Sequence, residues 1–338
     1  MTDLPAGHPP ARQPKIGVLL LNLGTPDATD YWSMRRYLSE FLSDRRVIET
    51  PPLLWQPVLQ GIVLTTRPNK SGANYKRIWD TVENDSPLRV IARRQAQKLQ
   101  QRLGPGAVVE FAMRYGNPST EAGLKALLDA GCQKVLLAPL YPQYSATTTA
   151  TANDKAFDAL KQVRWQPAIR TLPPYFDTPE YIAALATSIQ DGVARLDFTP
   201  DLVLTSYHGM PITYRDAGDP YYYQCLETTR RVREYLGWPE EKLRVTFQSR
   251  FGPSEWLQPY TDVTLMELPK QGMRRVAVVA PAFSVDCIET LEEIAITGRE
   301  QFEHAGGEHY AYIPCLNDSE MAMQMLEVVV RRELMGWL

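Results

Sequence analysis

Asp201-Leu202-Val203-Leu204-Thr205-Ser206-Tyr207-His208-Gly209-Met210-Pro211 is a short apolar run closed by a tight-turn signal. An apolar run of this length, without polar alternation, reads as a parallel strand buried on both faces. Gly209 and Pro211 end it. Open α/β sheets bind ligands just beyond the carboxyl ends of such strands, so His208 stands where that architecture places chemistry. Its competing role is to pack or cap the turn, as most histidines do. Of the other histidines, His8 falls in a Pro-rich tail, and His304 and His309 flank Gly306-Gly307 in an expected surface loop.

Outward from this segment, apolar runs alternate with helical patterns. Strands are expected over 15–21, 108–113, 135–138, 243–247, 275–280 and about 310–313. Helices are expected over 31–42, 87–103, 119–130, 151–162, 178–195, 221–236, 287–304 and 318–335, several closed by a glycine such as Gly104, Gly131 or Gly237. The alternation implies an α/β fold with parallel, doubly wound sheets.

Two halves share a plan. Asn22-Leu23-Gly24-Thr25-Pro26 matches Tyr207 to Pro211, Arg114-Tyr115-Gly116 matches Arg250-Phe251-Gly252, and Ala138-Pro139 matches Ala280-Pro281. The expected domains are two Rossmann-like units over 14–174 and 175–317 facing each other across a cleft, with the boundary at Pro173-Pro174. A disordered tail over 1–13 precedes them, and a C-terminal helix within 318–338 is expected to pack back on the first unit. Gly24 and Gly116 are 92 positions apart, whereas Gly209 and Gly252 are 43 apart, a difference of 49. The excess, near 45–85, reads as a functional insertion, because long irregular insertions usually are.

The net charge of −3 argues against a nucleic-acid partner. The four cysteines, Cys132, Cys225, Cys287 and Cys315, form no C-x-x-C pair, so a zinc ribbon and a disulfide scaffold are not expected. The first fifteen residues contain no apolar h-region, so a secretory signal is not expected, and no apolar stretch reaches the roughly 18 residues of a membrane span. A cytoplasmic location is expected. Neither half has a phosphate-binding G-x-G-x-x-G or G-x-x-x-x-G-K-[ST] loop, and no G-x-S-x-G elbow occurs.

Asp286, Glu289 and Glu293 are spaced to share one face of a helix, and Glu300 extends the row. Asp286 with Glu289 also has the form of an N-cap with its partner. Like charges one turn apart destabilise a helix, and a row of them is better explained if a cation or proton visits. Glu292 is expected on a neighbouring, solvated face. An imidazole with carboxylates suits a borderline divalent metal such as iron, held weakly enough to be passed on.

At these residues the chain resembles the ferrochelatase family. The resemblance rests on Asn22-Leu-Gly-Thr-Pro26, Tyr141-Pro-Gln-Tyr-Ser145, Ser206 to Pro211, Phe247-Gln-Ser-Arg-Phe-Gly-Pro253 with Trp256, and Ser284-Val-Asp-Cys-Ile-Glu-Thr-Leu291. It implies a chelatase fold whose cleft takes a porphyrin and ferrous iron as substrates, with Fe2+ inserted into protoporphyrin IX to give protohaem. It implies His208 and Glu289 as the catalytic, iron-contacting pair, with Asp286 and Glu293 as further metal candidates. Leu23, Arg114, Tyr115 and Trp256 are then expected to line the porphyrin pocket, and residues 51–64, with Leu54 and Trp55, to form an apolar lip. Arg114 has an open alternative as a surface ion pair.

Two departures from the family pattern follow. Some members hold a [2Fe–2S] cluster through a cysteine after the Tyr-Pro-Gln-Tyr-Ser motif and a cysteine-rich C-terminal tail. Here Ala146 fills that position and the chain ends at Gly336-Trp337-Leu338, so no cluster and no permanent cofactor are expected. Cys287 stands where many relatives carry a second histidine, so either that position is not an essential ligand or the thiol substitutes.

The lip is expected to be a lid rich in Leu53, Leu54, Trp55, Val58, Leu59, Ile62 and Leu64, broken by Pro51, Pro52 and Pro57 so that no long regular helix forms. Arg45, Arg46, Arg67, Lys70, Lys76 and Arg77 flank it and suit peripheral contact with the inner face of the cytoplasmic membrane. Packing into its own domain is the competing role. A monomer or weak dimer is expected. The alternatives to a ferrochelatase are a cobalt or nickel tetrapyrrole chelatase of the same fold and a non-enzymatic porphyrin or haem carrier using His208 as an axial ligand. The carrier would have no need of the carboxylate row.

Overall fold

The computed structural model describes residues 15–252 and 254–338; the expected tail over 1–13 and Pro253 lie outside them. Among the described residues, eight strands form two parallel sheets. The first contains β1 (Lys15–Thr25), β2 (Ala107–Gly116), β3 (Cys132–Pro139) and β4 (Ala168–Thr171), in the order β2-β1-β3-β4. The second contains β5 (Leu202–His208), β6 (Leu243–Gln248), β7 (Arg275–Val279) and β8 (His309–Ile313), in the order β6-β5-β7-β8. One topology is therefore used twice. The central strands are the apolar runs read from sequence: Val18 to Leu21 and Leu202 to Leu204 are buried on both faces.

The repeat is looser than the motif matching suggests. Arg114 lies inside β2, whereas Arg250 lies beyond the end of β6, so the two arginines are not equivalent. β1 also runs through Thr25, past the turn expected at residue 22, because Gly24 pairs with Tyr115 and Thr25 with Gly116. Gly24 has φ +125° and a Cβ there would sit 1.8 Å from the Tyr115 carbonyl oxygen, so only glycine lets the strand continue. β4 has no apolar run; this four-residue edge strand exists by pairing with β3.

The helices follow their caps. Asp30 accepts from the backbone of Trp32 and Ser33 to open Tyr31–Leu42, and Ser86 caps Pro87–Leu103. Gly237, in the left-handed region, ends Tyr221–Leu236. One apolar cluster joins both sheets: Val18, Leu20 and Leu136 from the first and Val203, Ala277 and Ile313 from the second meet Leu185, Ile189, Met323 and Val330. Those last four come from helices Pro179–Ala194 and Glu320–Glu333. The latter also lies against Pro87–Leu103, where Arg102 pairs with Glu320 and Glu327.

The insertion departs from expectation. Its prolines do not stop a helix: the chain is helical from residue 52 to 78, as Pro52–Val58, a π-helical turn Leu59–Val63, and Leu64–Ile78. Pro52 occupies a first-turn position that needs no N–H. Pro68 withholds its N–H from the Leu64 carbonyl, and Tyr31 Oη (3.0 Å) and Arg35 Nη1 (2.7 Å) donate to that oxygen instead. In the π turn, Thr65 and Thr66 hydroxyls donate to the Ile62 carbonyl at 2.8 and 2.9 Å. The cost of Pro68 is met by side chains distant in sequence.

Candidate active site

β5 delivers its last three side chains in alternation. Tyr207 is buried and its hydroxyl meets Thr229 Oγ1 at 2.8 Å on helix Tyr221–Leu236. Ser206 points to the other face, where its hydroxyl donates to Gln248 Oε1 at 2.7 Å and meets Thr261 Oγ1 at 2.8 Å. His208 ends the strand, half-buried. Its Nδ1 lies 2.7 Å from the Gly209 carbonyl oxygen, an acceptor, so Nδ1 carries the hydrogen. The neutral ring then keeps its lone pair on Nε2. Gly209 is required by crowding: a Cβ there would sit 2.6 Å from the Gln248 carbonyl oxygen and 3.2 Å from the Trp256 ring.

The carboxylates ride on an element that periodicity did not foresee. Glu289–Gly298 is a ten-residue π-helix, followed by an α-helical end, Arg299–His304. π-Helical turns are rare and recur at functional sites. Glu289, Glu292 and Glu293 lie on the π-helix, and Asp286 lies before it. Asp286 precedes the helix and is buried. Its carboxylate accepts from Tyr312 Oη (2.6 Å), Asn317 Nδ2 (2.7 Å), Thr290 Oγ1 (3.0 Å) and the Cys315 amide (3.3 Å), so it anchors the helix start and stands outside the row. Glu292 is buried, not solvated: it pairs with Arg77 at 2.8 Å and accepts from Thr297 Oγ1. Glu300 pairs with the same arginine.

Glu293 is held by β6 and the residue after it. Ser249 donates both its backbone N–H (2.7 Å) and its hydroxyl to the Glu293 carboxylate. Ser249 reaches that position with φ +65°, an uncommon backbone state for a residue with a side chain. Gln248 Nε2 donates to the Glu289 carbonyl oxygen (2.7 Å) and approaches Glu293 Oε2 (3.4 Å). The chain of contacts Ser206–Gln248–π-helix therefore ties the histidine strand to the acids. Burial pushes the Glu293 carboxyl above its ordinary range and the nearby Glu289 adds to this; the Ser249 donors and the charge of a protonated His208 pull the other way. Burial likewise pushes the Cys287 thiol well up, with Glu289 adding to it. A thiol so placed stays protonated, which disfavours it as a metal-binding thiolate.

The first half faces these groups with apolar and phenolic side chains. Leu23, at the end of β1, packs in a cluster with Tyr37, Leu59, Tyr75, Tyr115, Trp55 and Ile288 of the second half. Tyr37 and Tyr75 lie close enough to Glu289 for its charge to reinforce the rise in their pKa that burial causes. Trp55 donates from Nε1 to the Leu42 carbonyl at 2.7 Å and is half-buried, while Leu54 is exposed. Trp256 is buried against Phe251, with ring centroids 4.9 Å apart. Tyr115 is fully buried beneath Phe41, so it backs the wall of the site without surfacing in it.

Arg114 is committed elsewhere. Its guanidinium pairs with Asp44, donates from Nε to Thr151 Oγ1 (2.7 Å) and lies over the Tyr115 ring. Asp44 also accepts from the Tyr115 hydroxyl (2.8 Å) and the Thr151 hydroxyl. Two surface grooves, of about 800 and 580 Å³, share Asp44, Arg114 and Lys155, but no histidine lines them. Acid–base chemistry therefore favours the His208 region over either groove. Sequence reasoning did not single out Gln248, Ser249, Asp44, Tyr37 or Tyr75. Gln248 and Ser249 lay inside a quoted motif, where their polarity directly after a strand was the available signal.

Two parallel α/β halves with an imidazole and carboxylates meeting an apolar wall define a chelatase-like enzyme. Solved structures of that class share the fold. The chain superposes on SirB from Bacillus subtilis with Fe3+ (TM-score 0.56, 12% identity, 94% of this chain and 95% of that one). It also superposes on the sirohydrochlorin chelatase SirB from B. subtilis subspecies spizizenii in complex with cobalt (TM-score 0.53, 10% identity, 95% and 96%). The ferrochelatase family model matches residues 15–334. Curated ferrochelatases are similar along the whole chain: that of Allorhizobium ampelinum is 60% identical over all of this chain and 98% of the relative, and that of Rhizobium meliloti 59% identical over 99% and 100%. The chain belongs to the ferrochelatase family and is a metal chelatase of haem synthesis.

Proposed function

We propose that the protein inserts Fe2+ into protoporphyrin IX, releasing two pyrrole protons to give protohaem, as the last step of haem synthesis. One observation carries the reading: His208 with a free Nε2 lone pair lies within electrostatic reach of Glu293, itself held by Ser249, and the phenols of the opposite half lie within reach of the Glu289 charge. Porphyrin and ferrous iron are the substrates, and the reading needs no resident cofactor.

The chemistry follows from those groups. Two N–H bonds break as iron bonds to all four pyrrole nitrogens, and the two released protons must be carried away from the ring. His208 Nε2, whose lone pair is free, accepts a proton as a general base. Glu293, whose buried carboxyl binds a proton more readily than an ordinary one, receives it, and Glu289 continues the path or contacts incoming iron. Leu23 and Trp55 offer apolar surface suited to a large flat ligand, with Trp256 buried behind the site as Tyr115 is. A rigid cleft that fits a buckled ring better than a flat one would lower the barrier. Asp286 is left to its structural bonds.

The lip supports delivery from a membrane surface. Leu53, Leu54, Val58 and Ile62 are exposed on one helix, while Leu59 and Leu64 beside them are buried. No helix among the described residues is long and apolar enough to cross a bilayer, so the contact would be peripheral.

The test is anaerobic turnover of the purified protein with protoporphyrin IX and Fe2+, Co2+ or Ni2+ in separate reactions. Fe2+ should be inserted fastest. Preference for Co2+ or Ni2+ would make it a different tetrapyrrole chelatase, and haem binding without turnover would make it a carrier.

A further inference from the structure

We infer that Arg77 is a positioning residue for the acid–base carboxylates, acting through Glu292; the inference rests on the function proposed above. Arg77 sits in the last turn of helix Leu64–Ile78, the inner end of the lip, and its two terminal nitrogens divide between two acids of the second half. Nη1 bonds Glu292 Oε1 at 2.8 Å, and Nη2 bonds Glu300 Oε1 at 2.7 Å. Glu292 belongs to the π-helix, directly before Glu293 and three residues after Glu289.

The two carboxylates contribute differently. Glu300 is more than half exposed, and such a pair is screened and worth little. The Glu292 side chain is only 10% exposed, and its other donor is the Thr297 hydroxyl at 3.2 Å. Without Arg77 it would be a buried charge lacking its cation, a state that favours moving the side chain toward solvent. That movement shifts the π-helix at the residue between the two acids. The same lip helix places Tyr75 near Glu289, so it touches the acid-bearing helix at two neighbouring points. Its own placement is firm, since a Cβ at Gly72 would sit 2.4 Å from the Thr29 carbonyl oxygen. The first half thus sets where the second half's acids stand.

Arg77→Gln, Arg77→Lys, Glu292→Gln and the double variant Arg77→Gln/Glu292→Gln test this. The measurements are anaerobic Fe2+ insertion, porphyrin affinity by fluorescence titration, and thermal melting. Arg77→Gln should lower kcat about tenfold, because small misplacements of reacting groups are costly, while porphyrin affinity stays within about twofold. Arg77→Lys should recover most of the loss. Glu292→Gln removes the charge that needs a cation and should lower kcat less. Adding Arg77→Gln to it should then cost under about twofold, because the two residues act as one unit. An Arg77→Gln kcat within twofold of the parent overturns the inference, as do losses that multiply in the double variant or track the melting temperature. If the parent itself binds porphyrin and inserts no metal, the proposed function fails and takes this inference with it.

Discussion

The ends of β1 and β5 occupy equivalent places in the two sheets and are built with the same backbone device. Gly24 lies against the Tyr115 carbonyl of its neighbour strand, and Gly209 lies against that of Gln248. The residue before each glycine differs: Leu23 in one half, His208 in the other. So do the flanking groups. Beside β1, Arg114 and Tyr115 are bound to Asp44, which the inserted β1–β2 connection supplies. Beside β5, Gln248 and Ser249 reach across to Glu293. A duplicated architecture offers two reactive strand ends. Asp44 occupies the polar groups at one, which presents an apolar wall, and the other presents an imidazole and a buried carboxylate, the acid–base pair of the proposed function.

The sharpest way to break this comparison is to truncate both strand-end residues. His208→Ala should lower kcat by about 10²–10⁴, the usual contribution of a general acid or base. Porphyrin affinity should stay within about tenfold, because apolar burial drives it. Leu23→Ala should raise the porphyrin KM and leave kcat nearly unchanged. Equal kcat losses in the two variants would erase the proposed division of labour.

A second pair separates the two faces of the lip. Leu59→Ala removes a fully buried side chain and should cost about 2–5 kcal/mol in a denaturation curve. Leu54→Ser, at an exposed position, should change stability by less than about 0.5 kcal/mol while weakening porphyrin binding and association with anionic vesicles. Unchanged vesicle and porphyrin binding would remove the docking role of that face.

Asp44→Asn tests the strand end whose polar groups Asp44 occupies. Loss of the carboxylate leaves Arg114 without its buried counter-charge, for an expected cost of about 1–3 kcal/mol. Thr151, Arg114, Tyr115 and the Arg46 amide hold the Asp44 pKa below its ordinary value of 3.8, against the effect of burial. A depressed carboxylate contributes stability above its unfolded-state pKa and loses it as pH falls through the folded value. The deficit of Asp44→Asn should therefore be full at neutral pH and shrink below about pH 4, as urea melts at several pH values would record. A pH-independent deficit would point to packing in place of charge.

Glu293 carries the opposite sign and the smallest expected effect. Its folded pKa lies above the ordinary 4.5, so its ionisation costs stability as pH rises through the folded value. The melting temperature of Glu293→Gln, relative to the parent, should become more favourable from pH 4.5 upward. A flat difference would mean that the lost Ser249 contacts dominate.

Much of the fold was legible because its signals are local. Helices Tyr31–Leu42, Pro87–Leu103 and Tyr221–Leu236 fall at the expected bounds, since caps, apolar periodicity and terminal glycines are properties of adjacent residues. β4, the helix through Pro57 and Pro68, and the π-helix were not legible. β4 is made by its partner strand, and the Pro68 break is repaired by Tyr31 and Arg35, more than 28 positions away. A spacing read at 3.6 residues per turn included Asp286, which Tyr312 and Asn317 hold ahead of the π-helix, and left Glu292 in solvent, where Arg77 of the lip instead covers it.

The sequence by itself determined the two parallel α/β halves, the place of His208 at a strand end, the acid-rich segment facing it and the family. Each of those rests on residue type and short-range order. Only the tertiary structure decided which atoms are free to react. Asp286 and Arg114 are both charged and both near the site, yet distant donors and acceptors hold them, while Ser249 holds Glu293 within electrostatic reach of His208. Burial and hydrogen-bond partners set the reactivity of a titratable group, and both are supplied by parts of the chain that meet only when it folds.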